Sequence, residues 1–294
     1  MTTQVVGVAG GGLMGSGIAQ VAATAGMSVR LFEHDAAQRP RAVAGITRSL
    51  DRFVAKGTLA PEARDAALER LMLATSLDAL HDCDLVIEAI VEDLAPKQAL
   101  WRALESICRD DCVFATNTSS LSVVEQAAGL QHPERMLGLH FFNPVPMMAL
   151  VEVVRSVRTS ARALEVATTF VGAVGKTAVV ARDESGFIVN LLLVPYLLDA
   201  VRALERGVAT IADLDAAMHL GAGHPMGPLT LLDFVGLDTV VRIADIMFDQ
   251  YRETRYAPPP LLRRMVSAGY TGRKSGQGFY DWRGDEPVPM ELGL

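Results

Sequence analysis

A short apolar run at 5–9 breaks into Gly10-Gly11-Gly12-Leu13-Met14-Gly15, and from there apolar and polar positions alternate between two periods along most of the chain. Small residues at 18–25 read as a helix that stops at Gly26, and 28–32 reads as a second strand. The alanine- and arginine-rich stretch 36–71 has helical periodicity with one break at 57–61, which predicts a helical hairpin. Strand-like runs follow at 85–89, 113–115 and 136–139, with helices at 96–109 and 122–128 between them. Ser122 and Glu125 have the spacing of a capping box, which starts the second of these helices. Two more strands, 151–154 and 177–180, flank a helix at 161–171. Alternation of this kind predicts an α/β domain with a mostly parallel sheet and right-handed crossovers.

The pattern changes at Arg182-Asp183-Glu184-Ser185-Gly186, after which strand signals almost vanish. A domain boundary is expected there, dividing the chain into 1–183 and 184–294. Beyond it, 187–206, 211–220, 227–232, 238–251 and 261–267 read as helices, the last entered through Pro258-Pro259-Pro260. The second domain is therefore smaller and all-helical. Its broad apolar faces suit either burial within the chain or contact with a second subunit.

The glycine turn carries the first chemical signal. Gly10 permits a tight turn, Gly12 lets the backbone approach a pyrophosphate, and Gly15 lets the helix sit close to its strand. Gly10, Gly12, Leu13, Met14 and Gly15 thus form a candidate phosphate cradle, with the free N–H groups of the helix start facing the anion. The second strand delivers Glu33 about 20 residues after the glycines, as a Rossmann-type unit requires. An acid there accepts hydrogen bonds from both ribose hydroxyls and repels a 2′-phosphate. The cofactor expected is NAD rather than NADP. The competing reading of Glu33 is a solvated charge at a strand end.

Composition narrows the classes further. At 294 residues the chain can bury two cores without staples. Its three cysteines show no paired metal-ligand pattern with histidine, so no metal site is expected, and their scarcity suits a reducing cytosol. A formal net charge of −7, with no basic block or stripe, argues against nucleic acid as a partner. The chain enters its first strand without a basic n-region or cleavage site, and apolar stretches such as 187–198 are interrupted and too short to span a bilayer. A cytoplasmic location is expected.

The segment Gly138-Leu139-His140-Phe141-Phe142-Asn143-Pro144-Val145-Pro146-Met147-Met148-Ala149-Leu150-Val151-Glu152 places a histidine at the end of one strand and a glutamate in the next. A proline-stiffened loop between them can fold back and bring His140 and Glu152 within hydrogen-bond reach. A carboxylate on one imidazole nitrogen fixes the tautomer and leaves the other nitrogen to exchange a proton, as oxidation of an alcohol by hydride transfer requires. Taken singly, His140 also suits a structural hydrogen bond and Glu152 an alternating strand position. Ser119 falls just past a strand's carboxyl end, where α/β sheets bind ligands, and equally suits a turn or cap. Asn190 lies on the apolar helix that opens the second domain. A buried amide there must find partners, and Pro195 frees a carbonyl nearby, so a structural role for Asn190 competes with a functional one.

With these residues in place the chain resembles the short-chain L-3-hydroxyacyl-CoA dehydrogenase family, of the bacterial 3-hydroxybutyryl-CoA dehydrogenase type, over essentially its full length. The resemblance rests on the glycine turn, Ile87-Glu88-Ala89-Ile90-Val91-Glu92, Asn117-Thr118-Ser119-Ser120-Leu121, the His140 segment, Gly186-Phe187-Ile188-Val189-Asn190, and the stretches 221–228 and 272–280. It implies NAD-dependent, reversible oxidation of an (S)-3-hydroxyacyl-CoA, with His140 as base and Glu152 as its orienting partner. Ser119 and Asn190 are then expected to bond the substrate's C3 oxygen. Glu92, Lys97, Ser119, Asn143 and Lys274 match positions that contact NAD in the family, and Ser49, Lys56 and Lys97 match positions that contact coenzyme A. Lysine occurs only at positions 56, 97, 176 and 274, and all but Lys176 fall on these matches. A chain of net negative charge needs local cations to hold the phosphates of coenzyme A. The resemblance also implies a homodimer.

Two positions depart from the family pattern. Leu191 follows Asn190 where arginine is common, and Ala149 stands where lysine is common. Both remove positive charge, which leaves open a different acyl chain or a thioester carried on an acyl carrier protein. Ser49 and Lys56 favour coenzyme A over the carrier, and Asn143-Pro144-Val145-Pro146 argues against a free hydroxy acid. A non-catalytic NAD-binding protein on the same fold would not need the set of His140, Glu152, Ser119 and Asn190.

Overall fold

The structure is a computed structural model that describes residues 3–293. It divides into two compact units, Met1–Phe187 and Ile188–Leu294, so the stretch 184–187 goes with the first unit.

Eight strands form the sheet of the first unit: β1 (Val5–Ala9), β2 (Ser28–Phe32), β3 (Leu71–Ala74), β4 (Leu85–Glu88), β5 (Val113–Thr116), β6 (Met136–Phe141), β7 (Leu150–Arg155) and β8 (Thr177–Arg182). Their spatial order is β3-β2-β1-β4-β5-β6-β7-β8. Neighbours run parallel except β6 and β7, which pair antiparallel with His140 opposite Glu152. The order reverses between β1 and β4, the topological switch point at whose carboxyl edge open α/β sheets bind ligands.

Period-two alternation puts the apolar residues of each central strand into two cores. Leu85 and Ile87 of β4, with Val113 and Ala115 of β5, face α1 (Leu13–Thr24), α2 (Arg39–Ala55) and residues such as Ala163 and Phe170 of a later helix. α3 (Pro61–Glu69) follows α2 and completes the helical hairpin with it. Val86 and Phe114 point the other way, onto Trp101 and Leu104 of α4 (Leu94–Ile107) and Val123 of α5 (Val123–Gln126). The later helix is α6 (Ala161–Ala173), which joins β7 to β8. Strands buried on both faces read as near-continuous apolar runs, which is why the sequence marks them clearly.

Two expectations change in the first unit. The helical hairpin stops at Glu69, and Leu71, read as its last residue, opens β3 instead. That four-residue strand is an edge strand in register with β2, Val29 opposite Leu71, and a run that short carries no period of its own. Phe187, read as the first residue of the next helix, has φ +50 and lies before it.

The second unit is built from α7 (Val189–Glu205), α8 (Ile211–Ala216), α9 (Pro228–Val235), α10 (Leu237–Tyr251) and α11 (Pro260–Ser267). α8 runs into a π-helical turn, Ala217–Gly221, so the helix expected over 211–220 is split in character. Leu197, Leu198 and Val201 of α7, Leu232 of α9, Ala244 of α10 and Leu262 of α11 form its core. A two-stranded antiparallel hairpin, β9 (Tyr280–Asp281) with β10 (Val288–Pro289), is added where the sequence signalled none. It is anchored by buried Asp233, which accepts from Phe279 N (2.8 Å), Tyr280 N (2.9 Å) and Trp282 Nε1 (2.8 Å). Gly278 is required by that approach, since a Cβ would stand 2.0 Å from Asp233 Oδ1.

Candidate active site

Most candidate residues of the first unit sit at the carboxyl edge of the parallel strands or just beyond it; Lys97 lies on α4, Glu152 on β7, Ser49 on α2 and Lys56 at the C-cap of α2. After β1 the chain turns at Gly10, whose φ of +112 only glycine adopts without strain. A Cβ at Gly15 would stand 1.8 Å from Gly10 O, so the helix can approach its strand only without a side chain there. Around Gly12, by contrast, a Cβ would meet nothing within 4 Å. Gly12 is also the N-cap of α1, and no side chain caps this helix end. Open space beside uncapped N–H groups at the start of a 12-residue helix suits the pyrophosphate of a dinucleotide. Leu13 is exposed and Met14 half-buried on the first turn.

Glu33 closes the other side of this turn. Its Oε2 accepts from Gly11 N at 2.7 Å and its Oε1 from Asp35 N at 2.9 Å, which holds the carboxylate at the end of β2. Gly11, Gly12, Leu13, Ser49 and the Asn143–Pro146 stretch line one groove of about 460 Å³ between α1, α2 and the loop after β6. Ser49 therefore faces the glycine turn. Lys56 is exposed at the C-cap of α2. Arg41, Arg48 and Arg52 also line the groove, which sequence reasoning missed. Their signal is a helical stripe, interrupted only by Gly45, that leaves cations on one side of α2.

Glu92, Lys97 and Ser119 belong to one network. The Lys97 ammonium, 1% exposed, lies 2.7 Å from Glu88 Oε1 and 3.1 Å from Glu92 Oε2. Glu88, itself buried at the end of β4, also accepts from Ile90 N and Thr116 Oγ1, each at 2.7 Å. Glu92 Oε1 accepts from Thr118 Oγ1 at 2.5 Å and from Ser119 N at 3.1 Å. Burial pushes the Glu92 carboxyl up, but the Lys97 charge and the Thr118 and Ser119 bonds outweigh it and hold it below the usual carboxylate range. Lys97, expected to meet cofactor and coenzyme A, is thus inside the protein with its charge engaged by two carboxylates. The network presents Ser119 half-buried at the strand edge, its backbone tied to Glu92. Glu88, Thr116 and Thr118 went unread as functional support. A charged residue inside the apolar run at 85–89 was the available signal.

His140 ends β6. Asn117 Oδ1 accepts from Phe141 N at 2.9 Å, and this binds the end of β6 to that of β5. The antiparallel register sets Glu152 opposite, with His140 Nδ1 to Glu152 Oε2 at 2.6 Å and both residues buried. A carboxylate only accepts, so Nδ1 carries the proton and Nε2 is left for a ligand. The rings of Phe142 and Phe187 flank the imidazole at centroid distances of 4.5 and 5.5 Å. Asn143 is exposed on the following loop, joined to Pro144 by a cis peptide.

In the second unit Asn190 is half-buried on the first turn of α7. Lys274 is exposed and ion-paired with Asp238 at 2.6 Å.

Residues 5–184 match the model of the 3-hydroxyacyl-CoA dehydrogenase NAD binding domain, and residues 186–282 match that of the 3-hydroxyacyl-CoA dehydrogenase C-terminal domain. The chain belongs to the 3-hydroxyacyl-CoA dehydrogenase family. A 3-hydroxybutyryl-CoA dehydrogenase of Mycobacterium tuberculosis is 50% identical over 284 residues, covering 95% of this chain and 98% of the relative. One from Bradyrhizobium diazoefficiens is 44% identical over 284 residues, covering 97% of each. Among solved structures, the (S)-3-hydroxybutyryl-CoA dehydrogenase of Ralstonia eutropha is 37% identical with a TM-score of 0.93, covering 96% of this chain and 100% of that one. As a member of this family the chain is an NAD-dependent oxidoreductase acting on a CH–OH group. The uncapped helix start, the space at Gly12 and the fixed Glu33 carboxylate fit that cofactor.

Proposed function

We propose that this dehydrogenase interconverts a short-chain (S)-3-hydroxyacyl-CoA, such as 3-hydroxybutyryl-CoA, and its 3-oxoacyl-CoA, with His140 as the general base of the oxidation. The observation that carries this reading is the buried His140–Glu152 pair at the carboxyl edge of the sheet that also holds the glycine turn. The names of the relatives from M. tuberculosis, B. diazoefficiens and R. eutropha support the short acyl chain.

His140 Nε2 takes the hydroxyl proton of the substrate, and Glu152 stabilises the imidazolium that forms. Bound NAD supplies the acceptor for the hydride that leaves C3. Ser119 and Asn190 hold the C3 oxygen, and Phe142 and Phe187 keep water from the imidazole. When NAD is bound, the glycine turn at Gly10, Gly12, Leu13, Met14 and Gly15 would receive its pyrophosphate and Glu33 its ribose, and Asn143 would contact the cofactor. Glu92 and Lys274 complete the cofactor contacts implied by the family. Lys97 serves through Glu92 and Ser119 rather than by touching ligand. Ser49 on α2 and Lys56 at its C-cap bind phosphates of coenzyme A, with Arg41, Arg48 and Arg52 adding charge along that helix. The helical second domain carries the homodimer contact, for which exposed Leu192 and Leu220, at 65% and 79%, offer apolar surface. Among the described residues no helix is long and apolar enough to cross a membrane. Three free, buried cysteines suit the reducing cytoplasm in which we place the enzyme.

Absorbance of reduced nicotinamide with acetoacetyl-CoA and NADH, beside NADPH and a carrier-bound thioester, tests the reading. Rapid loss of NADH with the coenzyme A ester supports it. Loss only with the carrier-bound ester would keep the mechanism and replace the substrate, as the missing cations at Leu191 and Ala149 would then explain.

A further inference from the structure

Lys176 is the lysine that the family resemblance leaves without a role, and its surroundings are unusual for a surface cation. α6 ends in a glycine turn: Gly175 takes φ +73 and donates to Gly172 O, and Lys176 N closes on Val171 O at 3.1 Å. This turn aims the side chain back across the sheet edge toward the loop 142–149. The ammonium donates to Val145 O and to Met148 O, each at 2.6 Å. Its other attachment is the backbone of the next residue, since Thr177 N donates to Ala149 O at 2.7 Å. Among the described residues no carboxylate forms an ion pair with it. Burial without such a partner pushes the Lys176 amine below the ordinary lysine range.

The loop it holds is the one that connects His140 to Glu152. Pro144 O accepts from Met147 N (2.9 Å) and Met148 N (3.1 Å), which makes a tight turn. That turn leaves the carbonyls of Val145 and Met148 for the lysine. On the opposite side of the loop Val145 is buried against Gly17 of α1, where a Cβ would stand 2.8 Å from Val145 Cβ. The loop is therefore gripped from two sides, and the same residues, Asn143 to Pro146, form one wall of the groove whose other wall is the glycine turn.

We propose that Lys176 is a positioning residue for the cofactor: its two bonds to Val145 O and Met148 O fix the Asn143–Pro146 wall of the dinucleotide groove. The assignment rests on the reading that NAD occupies this groove. Lys176 touches no reacting atom. It acts through backbone carbonyls, so the effect of its loss falls on cofactor binding and leaves the proton chemistry of His140 in place.

The test is Lys176→Met, which keeps the length and apolar stem and removes the donors, with Lys176→Arg as the conservative partner. NADH binding to the free enzymes is followed by nicotinamide fluorescence, and exchange of the 144–149 amides by hydrogen–deuterium mass spectrometry. Wild-type protein that fails to bind NADH would sink the functional reading itself, before any variant is compared. Given wild-type binding, Lys176→Met is expected to weaken NADH affinity by about tenfold, the scale of lost charge-assisted hydrogen bonds. KM for NADH should rise with it, kcat and the pH profile should hold, and the 144–149 amides should exchange faster. Lys176→Arg is expected to recover most of the affinity. If Lys176→Met does not fold, Lys176→Gln replaces it in the same comparison. Folded variants that bind NADH as wild type does, or that lose stability and kcat with NADH affinity unchanged, overturn the proposal.

Discussion

Lys97→Met is expected to cost about 3 kcal/mol of folding stability at neutral pH, the low end of the 3–5 kcal/mol for breaking a buried ion pair by removing one partner. The low end applies because the carboxylates left behind keep other donors. Glu88 retains Ile90 N and Thr116 Oγ1, and Glu92 retains Thr118 Oγ1 and Ser119 N. Methionine also fills the space of the lysine stem, so little cavity term is added. Urea titration at unchanged m-value measures the loss. In a thermal scan it corresponds to roughly 6–12 °C, at about 2–4 °C per kcal/mol for a domain of this size. The pH dependence carries a sign. The Glu92 carboxyl is held below its ordinary value in the folded state. Its contribution is therefore complete above the unfolded carboxylate value near 4.3 and is lost as pH falls through the lower folded value. Lys97→Met should flatten that acid limb, because the cation that holds Glu92 down is gone. Adding Glu88→Gln should return part of the stability, a coupling expected of groups in one network. A loss under about 1 kcal/mol, the worth of an exposed pair, together with a raised KM for NADH or thioester, would refute the reasoning and make Lys97 a ligand contact after all.

His140→Gln is expected to lower turnover by about 10²–10⁴-fold with KM largely kept, and steady-state kinetics with acetoacetyl-CoA and NADH would contradict the base assignment if turnover stayed near normal. Glu33→Ala should erode the preference for NADH over NADPH, read from the ratio of kcat/KM values; an unchanged ratio rejects the ribose role. Gly15→Ala should destabilise the first unit and abolish NADH binding, because its Cβ would stand 1.8 Å from a carbonyl oxygen, whereas Gly12→Ala meets open space and should weaken binding alone. Equal stability losses in the two glycine variants, measured by urea midpoint, would undo that distinction.

The sequence by itself determined the elements whose signal is local. The glycine turn dictates its own backbone, since φ +112 at Gly10 and the contact at Gly15 exclude other residues. The central strands announce themselves because burial on both faces leaves them apolar throughout, and His140 and Glu152 could be paired because a short loop joins antiparallel neighbours. The helices of the second unit were legible from their period, but not the π-helical turn at Ala217–Gly221 or the hairpin anchored by Asp233. Tertiary structure decided what depends on partners far along the chain. Leu71 joins a strand because β2 offers it a ladder, not because four residues prefer it. Lys97 read as a contact of NAD and coenzyme A until Glu88 and Glu92 closed around it. Lys176 had no visible role because it binds backbone carbonyls of Val145 and Met148, which every residue possesses and no side-chain pattern can mark. Local dihedral and burial preferences are written at single positions and short periods; a buried charge or a gripped loop is written only in the distances that folding brings about.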